Sequence, residues 1–458
     1  MAPPSALVVG SGISGITAAH RLHERGWNVT LIESSNRVGG VIQSQRIDGY
    51  LCEDGPNSML IRSEAVRTFI SRLGLDERLT PANTEASKRF IVRGGKPVAV
   101  PQSILGAIQT PLFSFGAKLR ILKEPWITAC EDPDESVASF VRRRLGPEFL
   151  EYAIAPMTSG IYAGDPEKLS IRYAFPRVWG LENESGSLVR GALKLRKARR
   201  HSAQPHYKSE LVSFQDGLEE LVERLIKPLS NQTYLKAEFQ GLRRSAHDQW
   251  TAAWLQAGKP QSQDFDHIIF TAPPHRWASW DLPVPLAGRL LALPKLSFPA
   301  VNTLVLGFKR EEVAHPLDGF GMLIPKSENQ PILGTIFSSS LFPHRAPDGH
   351  VSLMCFLGGM TQPEAAGWDE YETVQKVLES LKELLGITGD PTFHHFTAWP
   401  KAIPQYHLDY GDFDSGLHQI EEKFTGIHFQ GNFRGGPGLN DCIENALTLA
   451  ERIDNARH

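Results

Sequence analysis

The chain has 458 residues, about three domains' worth at roughly 150 residues each, which argues against a single small module. Hydrophobic residues are 41% and charged residues 22%, and 48 Lys+Arg against 51 Asp+Glu leave a formal charge of -3, so wholesale disorder and a basic nucleic-acid binder are both disfavoured. Cys52, Cys130, Cys355 and Cys442 lie far apart, with no Cys-x-x-Cys pair and no His at ligand spacing, so neither a disulfide scaffold, an iron-sulfur centre nor any other metal site is expected, and a reducing compartment fits.

An apolar run begins almost at once after MAPPS, without a basic or Arg-rich leader, so no cleavable targeting segment is expected. Ala6 to Val9 reads as a strand, Ile13 to Glu24 as a helix closed by Gly26, and Val29 to Ile32 as a second strand ending at Glu33, which together make one β-α-β unit. The turn between them, Gly10-Ser11-Gly12-Ile13-Ser14-Gly15, is a G-x-G-x-x-G: the first glycine makes the turn, the second admits a pyrophosphate against the backbone, and the third allows close helix-strand packing. Glu33, followed by Ser34, falls where a carboxylate accepts hydrogen bonds from ribose hydroxyls. Arg37-Val38-Gly39-Gly40 and Glu53-Asp54-Gly55-Pro56-Asn57-Ser58 follow, and such glycine-lined loops suit the larger, extended FAD rather than NAD, against the plainer reading of ordinary turns.

Pro97 to Ala117 is an uncharged stretch of bilayer length, but its prolines and glycines oppose a spanning helix. Ile104, Leu105, Ile108 and Leu112 fall at helical spacing, Phe113 and Phe115 follow, and Lys118, Arg120 and Lys123 come next, as in a segment lying in a membrane interface or, equally, a buried helix and loop. Arg190 to Lys208 carries seven Lys/Arg and no acid, which reads as a solvated helix face before a lipid-headgroup contact. Ser213 to Leu229 reads as one helix with Leu218, Leu221, Val222 and Leu225 on its buried face, and His267 to Pro274 as a strand that stops at a double proline beside Ala272, which is assigned to the nucleotide site. His394 and His395, adjacent on a strand, would point to opposite faces and cannot share a metal.

From Ile427 to Ile453 a strand passes through Gly431-Asn432-Phe433-Arg434-Gly435-Gly436-Pro437-Gly438 into a helix starting near Leu439 or Asn440. The unpaired amides and partial positive charge at that helix start would stabilise negative charge on the pyrimidine end of a reduced flavin. Cys442, just inside the helix, reads as a packing residue.

Through GSGISGITAAHRL, Glu33, RVGG and the terminal GN-x6-LNDCIENA, the chain resembles the FAD-dependent amine oxidase and desaturase superfamily. Within it the chain is similar to the protoporphyrinogen oxidase family, through GPNSM (Gly55 to Met59), RFIVRGGKPVAVP (Arg89 to Pro101), SGIYAGDPEKLSI (Ser159 to Ile171) and AIPQY (Ala402 to Tyr406). Two departures stand out: FRGGPGLND is longer than the turn of many relatives, and WPKAIPQYH lacks the cysteine that some amine oxidases use to attach flavin, which favours noncovalent FAD.

The resemblance implies an α/β (mixed α+β) fold. Its Rossmann-like FAD-binding domain is assembled from residues 1-88, 210-274 and 425-458, its sheet-containing substrate domain from 89-100, 190-209 and 275-424, and a helical membrane-associating domain spans 101-189. It implies oxidation of a porphyrinogen with molecular oxygen as acceptor and hydrogen peroxide as by-product, peripheral contact with the cytoplasmic face of a membrane, and no nucleic-acid partner, with a homodimer left open. As the resemblance has it, Arg89 pairs with a substrate propionate, Asn57 faces the cavity, and the Gly160 carbonyl faces the reacting carbon. Coproporphyrinogen III oxidation is the adjacent alternative; amine or carotenoid oxidation, or flavin or porphyrin binding without turnover, are more distant ones.

Overall fold

Five short parallel strands, in the order Thr233–Tyr234, Asn28–Ile32, Ser5–Val9, His267–Phe270 and Ile427–Phe429, form the nucleotide-side sheet of the computed structural model, which describes residues 3-130, 134-201 and 207-456. Ala6 to Val9 and Val29 to Ile32 are buried throughout, as a parallel sheet covered on both faces requires. The opening helix Ile13–Glu24 packs against the terminal helix Leu439–Asn455 and against Glu219–Ile226. Segments far apart in sequence thus share one sheet and one core, in which Ala6, Leu31, Leu221, Ile269 and Ile443 are buried together.

The stretch Ser213 to Leu229 is not a single helix. Glu210–Phe214 is instead a strand between Met59–Ile61 and Leu79–Pro81; Gly217, at a φ of +100°, turns the chain, the helix runs only from Glu219 to Ile226, and a 3-10 turn with Pro228 near its start continues it. Leu218, Leu221, Val222 and Leu225 are buried as the periodicity predicts.

The second layer is a seven-stranded sheet in the order Phe393–Trp399, Val301–Lys309, His350–Gly358, Gly334–Ile336, Gly319–Leu323, Lys88–Val92 and Pro97–Ala99. One face buries Phe90, Leu304, Leu306, Met322 and Leu353 against the helix Glu370–Leu385, an amphipathic element capped by Asp369. Its other face turns toward the nucleotide-side segments.

A helical part lies between residues 104 and 201, and among the described residues no helix is long and apolar enough to cross a membrane. The helix begun at Ile104 ends at Gln109, so Leu112 does not continue the apolar stripe read from the sequence: Pro111 interrupts it, Arg93 binds the Leu112 carbonyl, and Leu112 is fully buried. Phe113 stacks on Phe149 with ring centroids 4.0 Å apart. The Ile104 side chain, those of residues 199-201, and all of residues 202-206 in the basic segment lie outside the described residues.

At the base of the parallel sheet the imidazoles of His267 and His428 share a hydrogen bond of 2.9 Å. Burial pushes the His428 pKa down from 6.5 to about 3, with His267, Arg452 and Arg434 adding to the effect. A depressed histidine pKa means that the unfolded chain binds the proton first, so stability present above pH 6.5 is lost as pH falls toward 3. Between pH 8 and pH 5 the urea-unfolding free energy should drop by about 2 kcal/mol more in the wild type than in His428→Gln. Equal slopes for the two proteins would count against it.

Candidate active site

The glycine turn is built as a phosphate cradle requires. A methyl group at Gly15 would lie 2.0 Å from the Gly10 carbonyl oxygen, and one at Gly10 would lie 2.8 Å from Thr271 Oγ1 and 3.1 Å from the Ala272 amide nitrogen. At Gly12 it would meet no atom within 4 Å. Gly10 and Gly15 are therefore closed by the protein's own packing, while Gly12, the residue preceding the helix Ile13–Glu24, faces open space and makes no side-chain cap. Ile13 and Ser14 are buried in the first turn, and the free amides there suit an anion. Glu33 accepts from the Ser11 amide (2.9 Å), the Ser11 hydroxyl (2.8 Å) and the Ser35 amide (2.8 Å), with the Ser34 hydroxyl 3.4 Å away, so its carboxylate braces the turn at the end of its strand.

The second glycine loop leans on the first. Gly39 donates to the Ser11 carbonyl at 2.8 Å, and a methyl at Gly40 would lie 3.1 Å from the Gly12 Cα. Arg37 turns into its own loop, donating to the carbonyls of Val38 (3.0 Å), Gly40 (2.6 Å) and Ile42 (3.0 Å). Gly55 packs on Val41, where a methyl would lie 2.2 Å from the carbonyl oxygen, and Pro56 and Ser58 are half-buried beside it. The carbonyl of Ala272 accepts from the Trp277 indole at 3.0 Å.

Opposite them, Gly438 caps the terminal helix without a side-chain hydrogen bond and Leu439 opens it. Gly431 abuts the Phe433 ring, Phe433 is fully buried, and the Asn432 carbonyl accepts from Tyr406. In the helix's first turn Asp441 pairs with Arg62; burial raises its pKa and Arg62 opposes the rise. Cys442 is buried, its thiol pushed up to about 12 by burial, which fits a packing role.

The register of the seven-stranded sheet decides what meets these elements. Thr397, Thr303, Phe356, Gly334, Leu323 and Ile91 are lateral partners in one row; His395, Val305, Met354, Ile336, Gly321 and Arg89 form the next row on the same face. Asp54 rests on this face: its carboxylate accepts from His395 (2.7 Å) and Thr397 (3.1 Å), and its carbonyl from Thr303 (3.1 Å) and Trp399 (2.8 Å). Burial alone would raise the Asp54 pKa, but hydrogen bonds from His395, Gln45 and Thr397 outweigh it and hold the group below the usual carboxylate range. His394 points the other way, to Glu370.

Asn57, buried, donates to Ser338 Oγ (3.1 Å) and reaches Met354 Sδ (3.5 Å), leaving its Oδ1 buried without a partner. Gly160 sits in the last turn of the helix Ala155–Tyr162, where a methyl group would lie 2.8 Å from Leu323 Cδ2. Arg89 is exposed, its guanidinium 5.7 Å from the Phe320 ring centroid, and it pairs with no carboxylate among the described residues. Asn57, Gly160 and Arg89 thus stand over one sheet face, the row from Met354 to Arg89 spanning three strand spacings, about 14 Å.

Sequence reasoning misses the floor of this site. Leu323, Phe356 and Thr303 carry no motif, and only strand register brings them together. It also misses Arg345, buried against Glu53. A cavity of about 480 Å³ beside the Gly160 helix is lined by Ala155, Pro156, Ser159, Ile324, Leu333 and Met360 among others; none of Arg89, Asn57 and Gly160 is in its wall, so it is separate from this face. Among the described residues no three His, Cys, Asp or Glu side chains could hold a metal ion.

Residues 13–454 match the family described as flavin containing amine oxidoreductase. Mitochondrial protoporphyrinogen oxidase of Nicotiana tabacum is 32% identical, covering 97% of this chain and 94% of its own length. Coproporphyrinogen III oxidase of Bacillus subtilis (strain 168) is 29% identical over 96% of this chain and 95% of its own. A crystal structure of a candidate protoporphyrinogen oxidase from Exiguobacterium sp. 255-15 superposes with a TM-score of 0.81 over the whole of both chains at 24% identity, which shows the shared fold. The open space at Gly12, the uncapped helix start at Gly438 and the orphaned Asn57 oxygen fit a bound flavin, and with the full-length match they make the chain a member of the flavin containing amine oxidoreductase family, an oxidase whose cofactor is FAD.

Proposed function

We propose that the chain oxidises protoporphyrinogen IX to protoporphyrin IX, with FAD held noncovalently between residues 1-88, 210-274 and 425-458 and the substrate between that domain and the seven-stranded sheet. The observation that carries this reading is the shared sheet face: Asn57, Gly160 and Arg89 lie over the two rows that also seat the Asp54 segment of the flavin side. When bound, FAD supplies a two-electron acceptor that oxygen regenerates with release of hydrogen peroxide, three rounds converting a porphyrinogen to a porphyrin. The chain's own residues bind and orient. Arg89 offers a planar, bidentate guanidinium to one carboxylate, Leu323, Phe356 and Ile91 supply an apolar floor that excludes water, and Gly160 keeps its helix close to that floor. Each round removes a hydride from a bridging carbon and a proton from the macrocycle to solvent, which calls for alignment more than for a strong acid or base.

Coproporphyrinogen III is the second reading, favoured by the similarity to the Bacillus enzyme. Against it, the two described rows hold one unpaired cation, Arg89, since His395 is taken by Asp54, and four substrate carboxylates call for more. Anaerobic mixing decides: flavin bleaching faster with protoporphyrinogen than with coproporphyrinogen supports the first reading, the reverse order supports the second, and bleaching by neither refutes both. Arg89→Ala should weaken protoporphyrinogen binding on the order of tenfold with unchanged flavin content, a modest figure because the group is exposed. Arg89→Lys should recover part of the loss. Unaltered affinity in Arg89→Ala would place the propionates elsewhere.

The same proposal includes a peripheral membrane contact. Leu105, Ile108, Phe115, Leu122 and Trp126 are exposed, Phe115 at 76% and Trp126 at 78%, along the short helices 104-109 and 115-122 and the turn after them. Lys118 caps the carbonyls of Ile108 and Thr110 at 2.7 Å each and Arg120 those of Arg142 and Arg143, so these cations hold the patch in shape. Replacing Phe115, Leu122 and Trp126 with Ser should weaken liposome binding at least about tenfold, since each inserted apolar side chain contributes about 1.5 to 3 kcal/mol. Unchanged flotation would rule this patch out as the contact.

A further inference from the structure

The irregular segment Ala402 to Tyr406 hydrogen-bonds to both halves of the site. Gln405, fully buried, donates from Nε2 to the Tyr162 carbonyl at 2.7 Å, and Tyr162 is the last residue of the helix that carries Gly160. A methyl at Gly164 would lie 2.6 Å from Gln405 Oε1, so the amide also fits closely against the chain just beyond that helix. The next residue, Tyr406, is 1% exposed; its hydroxyl donates to the Asn432 carbonyl (2.7 Å) and accepts from the Gly436 amide (3.0 Å), joining the two sides of the loop that leads into the terminal helix. The Tyr406 ring stacks on Tyr410 at 4.1 Å and meets Tyr162 edge-on at 5.9 Å, and the Tyr410 hydroxyl donates to the Phe433 carbonyl at 3.2 Å. Backbone bonds from Gln405 to Ser297 and from Ser170 to Tyr406, both 2.9 Å, anchor the segment itself.

We propose that Gln405 and Tyr406 are positioning residues: adjacent in the chain, they set the spacing between the substrate-side helix at Gly160 and the flavin-facing loop Gly431 to Gly438. The inference rests on the porphyrinogen reading and on Gly160 lying beside the substrate. Its physical basis is that two grips on opposite walls are only one Cα step, about 3.8 Å, apart, so neither wall shifts without the other. Phenylalanine at position 406 would fill the same core. The hydroxyl adds a tether on a loop whose Gly435 and Gly436 both have positive φ, beside the bonds that Gly435 makes with Tyr410 (3.4 Å) and Asn445 (3.2 Å).

Tyr406→Phe keeps the ring stack and removes the tether. In the holoenzyme it should raise the FAD dissociation constant about tenfold. It should also slow the limiting rate of anaerobic flavin reduction by protoporphyrinogen on the order of tenfold to a hundredfold, with substrate affinity unchanged, because misplacement by about 1 Å is that costly. Gln405→Met, which releases only the substrate-side grip, should slow reduction and leave FAD affinity unchanged. A wild-type limiting rate in Tyr406→Phe overturns the proposal whatever the melting temperature does, since a residue that merely fills core changes stability alone. If neither porphyrinogen reduces the wild-type enzyme, the substrate reading has failed instead; unchanged FAD affinity in Tyr406→Phe then still overturns the loop half of the inference.

Discussion

Arg345→Met should destabilise the folded protein by about 3 to 5 kcal/mol, the cost of leaving one partner of a buried ion pair alone. Glu53 and Arg345 are each 1% exposed, and the guanidinium binds Glu53 at 2.9 Å, the Asn57 carbonyl at 3.3 Å and Ser213 Oγ at 2.6 Å. Glu53 in turn accepts from Ser44 at 2.6 Å and from the Leu218 amide at 3.0 Å, so one pair joins the Asn57 loop, the strand Glu210–Phe214 and the helix after it. Burial already raises the Glu53 pKa, and Arg345 is the largest influence opposing the rise. Without Arg345 the folded pKa climbs further above its unfolded value. The deficit should therefore be greatest at high pH and shrink as pH falls toward the unfolded carboxylate range, where the folded state gains its proton first. Urea melts at pH 8 and pH 5.5 measure both effects. A loss below about 1 kcal/mol would mean that water reaches Glu53 when the arginine leaves.

Gly12→Val should weaken FAD binding by at least about a hundredfold while leaving the fold intact, because the new side chain occupies space that no protein atom fills. Gly15→Ala should act differently: its methyl would lie 2.0 Å from the Gly10 carbonyl oxygen, so the strand-helix packing itself must give way. Denaturation and spectroscopy separate the two. Gly12→Val should purify colourless with a near-normal melting temperature, Gly15→Ala should melt early, and flavin should leave the denatured wild-type chain. Full flavin content in Gly12→Val would remove the pyrophosphate from that turn.

The opening β-α-β unit was legible from residues alone, since the helix runs from Ile13 to Glu24 as its periodicity predicts, flanked by the strands Ser5–Val9 and Asn28–Ile32. The terminal strand and the helix from Leu439 were equally plain. These are local signals: a buried parallel strand is an unbroken apolar run, and a phosphate turn must place its glycines at set positions. Leu112 shows the limit of such reasoning. It sat at helical spacing behind Ile108, yet Pro111 ended the helix and Arg93, just past the strand Lys88–Val92, drew its backbone inward. Ser213 and Phe214 show it again, drawn into a strand by their partners Thr80 and Leu79.

What the sequence determined by itself was the opening β-α-β unit with its glycine turn, the terminal strand and helix, and, through the motifs of its family, the flavin class of its cofactor. Only the tertiary structure put Asn57, Gly160 and Arg89 over one face, because their common ground is the lateral register of strands whose pairing partners lie up to about 230 residues away. Register is set by which face of every strand is buried and by how the layers close on each other, a property of all seven strands at once that no single motif records. For the same reason Arg345 and the apolar floor at Leu323 and Phe356 were silent in the sequence, and the AIPQY motif marked Tyr406 without showing what it grips: each acts through a neighbour that is near in space and remote in the chain.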